Sequence, residues 1–229
     1  MTATTSNSSK DVSDSGSGIS DAMIEANGLC KYYGSFIAAE DISFRVPRGE
    51  IVAFLGPNGA GKSTTMKMLT GYLAPSAGRA MLAGYDMSID RLSASKRLGY
   101  LPENGPLYPD MTPRTLLEFF AAARGLKSPY REERIEAVVK QCELGSVIGK
   151  AIGKLSKGYR QRVGMAQVLL HEPDVLILDE PTTSLTAVER EKLFAIIDTL
   201  KARGVAIIFI SHFMEEIYRV CDKFIVLRD

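Results

Sequence analysis

Two short segments carry residue types at spacings that could handle a nucleotide. The first is "GPNGAGKS", residues 56–63, which fills every fixed position of G-x-x-x-x-G-K-[ST]. An apolar run, "IVAFL" (51–55), precedes it and a helical pattern, "STTMKMLTGYL" (63–73), follows it, which is the strand–loop–helix context the motif needs. Gly56, Gly59 and Gly61 let the backbone curl so that successive N–H groups face phosphate oxygens. Pro57, Asn58 and Ala60 fill the turn between them, and Thr64 follows in the first turn of a helix whose positive end adds to the cradle. Lys62 can reach the β- and γ-phosphates, and the Ser63 hydroxyl can ligate Mg²⁺. The second segment is "VLILDE" (175–180), an apolar strand ending in two acids. A strand end beside such a cradle suits Asp179 as a water-mediated Mg²⁺ partner. Glu180 is then the candidate general base for an attacking water.

The elements that must position these groups read as follows. The segments 42–46, 51–55, 174–179, 205–210 and 224–227 form strands, several of them nearly continuous apolar runs of the kind covered on both faces. In 131–143, Ile135, Val138, Val139 and Cys142 recur at helical spacing, and Leu193, Ile196, Ile197 and Leu200 repeat the pattern. Ser128-Pro129 and Thr112-Pro113 each suggest an N-cap followed by proline in the first turn. Thr186 and Glu189 spell the T-x-x-E capping box ahead of the helix carrying Leu193. Strands and helices alternate at both ends, which gives an α/β core of about residues 23–103 and 174–229 with a mainly parallel sheet flanked by helices. Residues of about 104–173 read as an inserted helical subdomain. Residues 1–22, rich in Ser, Thr, Gly, Asp and Asn, cannot bury enough apolar surface to offset their ordering entropy and read as a disordered leader.

Composition narrows the classes. A formal net charge of +1 gives no global field to recruit nucleic acid or anionic lipid. No apolar run reaches the roughly 18–20 residues of a membrane span, and the N-terminus lacks a signal-peptide pattern. Cys30, Cys142 and Cys221 are far apart and odd in number, which points to three reduced thiols in a cytosolic protein, without a disulfide framework or a cysteine-based metal site.

"LSKGYRQRVGMAQVLL" (155–170) resembles the signature motif of ABC-type ATPases, usually LSGGQ, followed by its helix. With the cradle and "LILDEP", the resemblance runs from about Met23 to the C-terminus. It implies a P-loop NTPase with an added N-terminal antiparallel β part, Mg²⁺ and ATP as cofactors, and two cassettes that close head to tail. Leu155, Ser156, Lys157, Gly158 and Tyr159 would then reach the nucleotide of the other copy. Tyr33, in "KYYG", matches the aromatic that stacks on adenine. Glu103, in "YLPENGPLYPDMT", matches the Q-loop glutamine, which adds it to Ser63 and Asp179 as a Mg²⁺ ligand. His212, in "FISHFMEE", matches the switch histidine at the γ-phosphate, and His171 has no family role and reads as structural. The implied function is the ATP-hydrolysing subunit of a transporter, cytoplasmic and held on the inner face of the cell membrane by separate permease subunits.

Three positions depart from the family pattern. Lys157 replaces the middle signature glycine, Glu103 replaces glutamine, and Thr186 replaces the aspartate of the D-loop. The last two raise a second reading, an ATP-responsive scaffold that hydrolyses poorly. Soluble ABC proteins of translation or DNA repair resemble paired cassettes or carry long coiled-coil insertions, and neither pattern is present. Residues up to about 180 resemble ABC-2-type exporter cassettes, whereas 181–229 resemble the first cassette of ribose- and xylose-type sugar importers. This leaves a chimera truncated after its last core strand, or uneven drift from one ancestor, as alternatives.

Overall fold

The computed structural model describes residues 3–4, 21–103, 105, 107–183 and 185–228. A six-stranded sheet forms the centre: β1 (Ala3–Thr4), β4 (Ile51–Leu55), β7 (Leu98–Leu101), β8 (Val175–Asp179), β9 (Ala206–Ile210) and β10 (Lys223–Leu227), ordered β1-β10-β4-β9-β8-β7. Every pairing is parallel except that of β1 with β10. Alternate residues of the central strands face opposite cores. Ile51, Leu176, Leu178, Ile207 and Phe209 join a cluster under the helices, whereas Val52, Phe54, Val175, Ile177 and Ile208 join a second cluster. Both faces are covered, so these strands read in the sequence as unbroken apolar runs rather than as an alternation.

The second cluster is closed by a four-stranded antiparallel sheet ordered β3-β2-β5-β6, built from β2 (Ala22–Tyr33), β3 (Phe36–Pro47), β5 (Ala77–Leu82) and β6 (Tyr85–Asp86). The sequence marked only 42–46 of this sheet. The register of β2 on β3 shifts at several points, one of them between Ala26 and Leu29, where Gly28 takes a positive φ of 59°. Such bulges break the two-residue period that would have exposed the strand.

Within the expected leader, residues 3–4 form β1, and β2 begins at Ala22. The backbone ladder at an open sheet edge needs no apolar side chains, so composition did not flag it. Residues 1–2 and 5–20 lie outside the described residues. Ser128 does not cap a helix: α4 (Tyr130–Gln141) starts from Pro129 with no side-chain cap. Glu132 and Glu133 supply acidic charge to its first turn instead. The remaining helices are α1 (Lys62–Leu69), α2 (Arg91–Arg97), α3 (Pro113–Ala123), α5 (Lys157–Leu169), α6 (Ala187–Ala202) and α7 (Met214–Val220). As expected, Thr112 caps α3 by accepting from Thr115 N, with Pro113 in the first turn.

Thr186 caps α6 in a reciprocal box. Its Oγ1 accepts from Glu189 N at 3.3 Å, and Glu189 Oε2 accepts from Thr186 N and from Thr186 Oγ1, each at 3.0 Å. Thr186→Ala is therefore expected to cost about 0.5–2 kcal/mol, while Thr186→Asp keeps the cap. Thermal melts of the two variants check this, and an alanine melt that overlays the parent removes the capping account.

His171 packs between the parallel sheet and the helices. Its Nε2–H donates to Leu98 O at 3.0 Å, and Nδ1 is buried without a partner. Burial, then the nearby Arg124, pushes its pKa down to about 4. The unfolded chain, with a histidine near its ordinary value, takes up the proton first as pH falls. Stability is thus intact above the ordinary 6.5 and declines toward the folded value of about 4. The loss should approach about 1–3 kcal/mol. Urea denaturation at about pH 7.5 and about pH 4.5 should show this component in the parent and not in His171→Gln.

Candidate nucleotide site

The loops that leave the carboxyl ends of β4, β7, β8 and β9 converge at one edge of the parallel sheet, where open α/β sheets bind ligands. A cavity of about 410 Å³ opens there, lined by Asn58 and Gly59 of the cradle, Gly61–Thr64, Glu103, Asp179 and Glu180. The sequence-predicted cradle and carboxylates are thus brought together.

The cradle needs its glycines for two separate reasons. At Gly56 and Gly61 there is no room: an added Cβ would lie 2.8 Å from Leu227 O and 2.8 Å from Ala38 O, respectively. Gly59 has room but a φ of 94°, which an L side chain rarely adopts. Gly61 leads into α1 without a side-chain cap, so the first N–H groups of that helix are left for an anion. Ala60 is buried beneath the loop, and Lys62 Nζ donates to Gly56 O at 2.6 Å and to Pro57 O at 2.9 Å. The ammonium is therefore held over the curled loop.

Glu180 sits in the left-handed region, φ 49°, a strained setting for a non-glycine residue. Its N–H donates to Ile210 O at 3.0 Å, and Thr183 Oγ1 donates to its carbonyl at 3.2 Å. Its carboxylate accepts from His212 Nδ1–H at 2.7 Å. A carboxylate and an imidazole joined this way can hold a water and share its proton. Asp179 has its pKa raised by burial first, then by the charges of Glu180 and Glu103. The neighbouring Tyr100 hydroxyl and Lys62 pull it back down. Tyr100 is in turn pushed up to about 12 by burial and by Asp179.

These residues fit Mg·ATP. The cradle offers N–H groups and a cation to phosphates, and Ser63, Asp179 and Glu103 offer the oxygen donors a hard cation prefers. Among the described residues, no group of three or more His, Cys, Asp or Glu side chains could hold a metal alone.

The signature residues lie elsewhere. Ser156 caps α5 by accepting from Tyr159 N at 3.2 Å, Leu155 is buried, and the Tyr159 ring lies 4.1 Å from the Arg162 guanidinium carbon. Gly158 packs so tightly on α6 that an added Cβ would fall 1.9 Å from Glu189 Oε1. The Thr186–Glu189 box thus abuts the signature backbone. Lys157 and Glu103 both line a second cavity of about 360 Å³. None of residues 155–159 lines the cradle cavity.

Tyr33 ends β2, half exposed, with Lys31 Nζ 5.3 Å from its ring centre. It is Phe36, across the hairpin from Tyr33, that lines the cavity. Sequence reasoning passed over Phe36 as well as Tyr100 and Glu216. Hairpin register would have found the first, and the strand before Glu103 the second. Glu216, buried to 4 % exposure among polar partners, carried no sequence signal beyond the "FISHFMEE" segment.

Residues 39–183 match the sequence profile of a family described as "ABC transporter". The chain is 38% identical over 203 residues to "Probable multidrug ABC transporter ATP-binding protein YbhF" of Escherichia coli K12, which covers 89% of this chain and 35% of the relative. It is 37% identical over 207 residues to "Uncharacterized ABC transporter ATP-binding protein YxlF" of Bacillus subtilis, covering 90% of this chain and 68% of the relative. The chain therefore spans about a third of the length of YbhF and about two thirds of that of YxlF. A solved structure titled "Structure of ATP binding subunit of ABC transporter" superposes with a TM-score of 0.82 at 32% identity, over 90% of this chain and 86% of that one. The 203-residue match to YbhF is too long to lie on one side of residue 180, so it runs across that position.

Proposed function

Because this chain belongs to the ABC transporter family of ATP-binding proteins, with their α/β P-loop NTPase fold, we propose that it hydrolyses Mg·ATP and works as a homodimer that drives separate membrane subunits. The observation that carries the proposal is the His212–Glu180 pair at 2.7 Å, in which Glu180 lines the same cavity as Lys62 and Asp179.

Lys62, the cradle N–H groups and the start of α1 bind and orient the phosphates. Asp179, Ser63 and Glu103 would hold a Mg²⁺, which would supply positive charge to offset that of the phosphates. Glu180 accepts the proton of the attacking water, and His212 holds Glu180 in place and bonds the γ-phosphate. Tyr33 stacks on the adenine, with Phe36 on the cavity wall beside it. Residues 155–159 lie outside this cavity, which supports a role toward the nucleotide of a second copy. The ends of α5 and α6 would be presented to that copy together, because Gly158 and Glu189 are in contact.

Glu103 and the helical segment that follows would dock on the permease subunits. The exposed pair Tyr108 and Phe119, with ring centres 6.3 Å apart, offers an apolar surface for this. Passage of a substrate would belong to those partners; among the described residues no helix is long and apolar enough to cross a membrane. A phosphate-release assay with and without Mg²⁺ tests the reading. Mg²⁺-dependent release supports it, and ATP binding without release refutes the hydrolytic role.

A further inference from the structure

We propose that Glu216 is a positioning residue, which aligns the Glu180–His212 pair by tying together three segments around it. The proposal rests on the functional reading above, in which Glu180 is the base. Glu216 is buried, at 4 % exposure, in the first turn of α7. A lone carboxylate there would be costly, yet every bond it makes goes to a different part of the site. Its Oε2 accepts from Thr182 Oγ1 at 2.6 Å and from Ser211 Oγ at 2.8 Å, and its Oε1 faces Arg190 Nη1 at 3.4 Å.

Two of the partners flank a working residue. Thr182 is two residues after Glu180, and Ser211 is the residue before His212. Arg190 lies in the first turns of α6, the helix that Thr186 opens. Ser211 Oγ also accepts from Phe213 N at 3.1 Å, so the backbone on both sides of His212 is pinned. Glu180 itself is in a left-handed conformation that surrounding structure must impose, and the turn that imposes it contains Thr182. Glu216 touches neither cradle nor cavity, so it acts on nucleotide only through the pair it aligns.

The chain has two histidines, His171 and His212, which makes the alignment directly readable. Ring ¹H–¹⁵N spectra of histidine-labelled protein should contain one set of ring signals from each, assigned with a His171→Gln chain. In Glu216→Ala the His212 signal is expected to shift while that of His171 stays. The kcat for ATP should fall about 10–100-fold with nucleotide affinity within about twofold of the parent, as for the loss of a supporting partner that does not touch the ligand. Glu216→Gln, which keeps one acceptor for the two hydroxyls, should fall between parent and alanine. If Glu216→Ala does not fold, Thr182→Val and Ser211→Ala each remove one contact and should each shift His212 in the same way. An unmoved His212 signal overturns the proposal, as does a loss of affinity equal to the loss of kcat. Parent-rate hydrolysis by Glu180→Gln, with His212 still shifted in Glu216→Ala, would instead refute the base assignment and leave the alignment standing.

Discussion

Glu180→Gln is expected to bind Mg·ATP like the parent and to hydrolyse it roughly 10²–10⁴-fold more slowly, the usual effect of removing a positioned base. Two features favour Glu180 over Asp179 for this role. Asp179 is partly buried, sits next to the Tyr100 hydroxyl and is flanked by two other acids, a setting suited to a metal-directed group. Glu180 is held apart by its left-handed backbone and engaged by His212 at 2.7 Å. Glutamine keeps the size and one acceptor, so the loop should hold its shape, but it cannot take the proton. Phosphate release by the variant, with fluorescent-nucleotide binding as the control, measures the two effects separately. Turnover at the parent rate would remove Glu180 from the base role.

Lys62→Ala should weaken Mg·ATP binding by about 10–100-fold, the scale of one charge-assisted hydrogen bond lost to a buried anion. The same ammonium also bonds Gly56 O and Pro57 O, so its loss removes a brace from the cradle as well as a cation from the phosphates. Equilibrium titration with a fluorescent ATP analogue would read this. An unchanged dissociation constant would mean that the N–H groups of the loop and of α1 hold the phosphates without it.

The sequence was most informative where one local pattern fixes one local structure. The cradle was legible because glycines are demanded by φ at Gly59 and by closeness at Gly56 and Gly61. The central strands were legible because burial on both faces leaves them uniformly apolar. The Thr186–Glu189 box was legible because both partners are three residues apart. What failed to show was long-range. The bulged β2 gained its strand character from β3 and β5 rather than from its own period. The edge pairing of β1 with β10 joins opposite ends of the chain. The contacts of Glu216 with Thr182 and Arg190 span 34 and 26 residues, and the approach of Gly158 to Glu189 is equally invisible in a linear reading.

Thr186 itself illustrates the division. The exchange of aspartate for threonine keeps the start of α6 and gives up one charge, while Glu189 holds the box against the signature backbone. The helix start is therefore kept, and in the homodimer proposed above any weakness would lie in how two copies meet.

Sizing chromatography of Glu180→Gln with and without saturating Mg·ATP decides whether two copies build the site together. A monomer is expected without nucleotide and a dimer with Mg·ATP, because residues 155–159 do not line the cradle cavity of their own copy and would be supplied by a second. A monomer under both conditions, with ATP shown to be bound, would contradict this expectation.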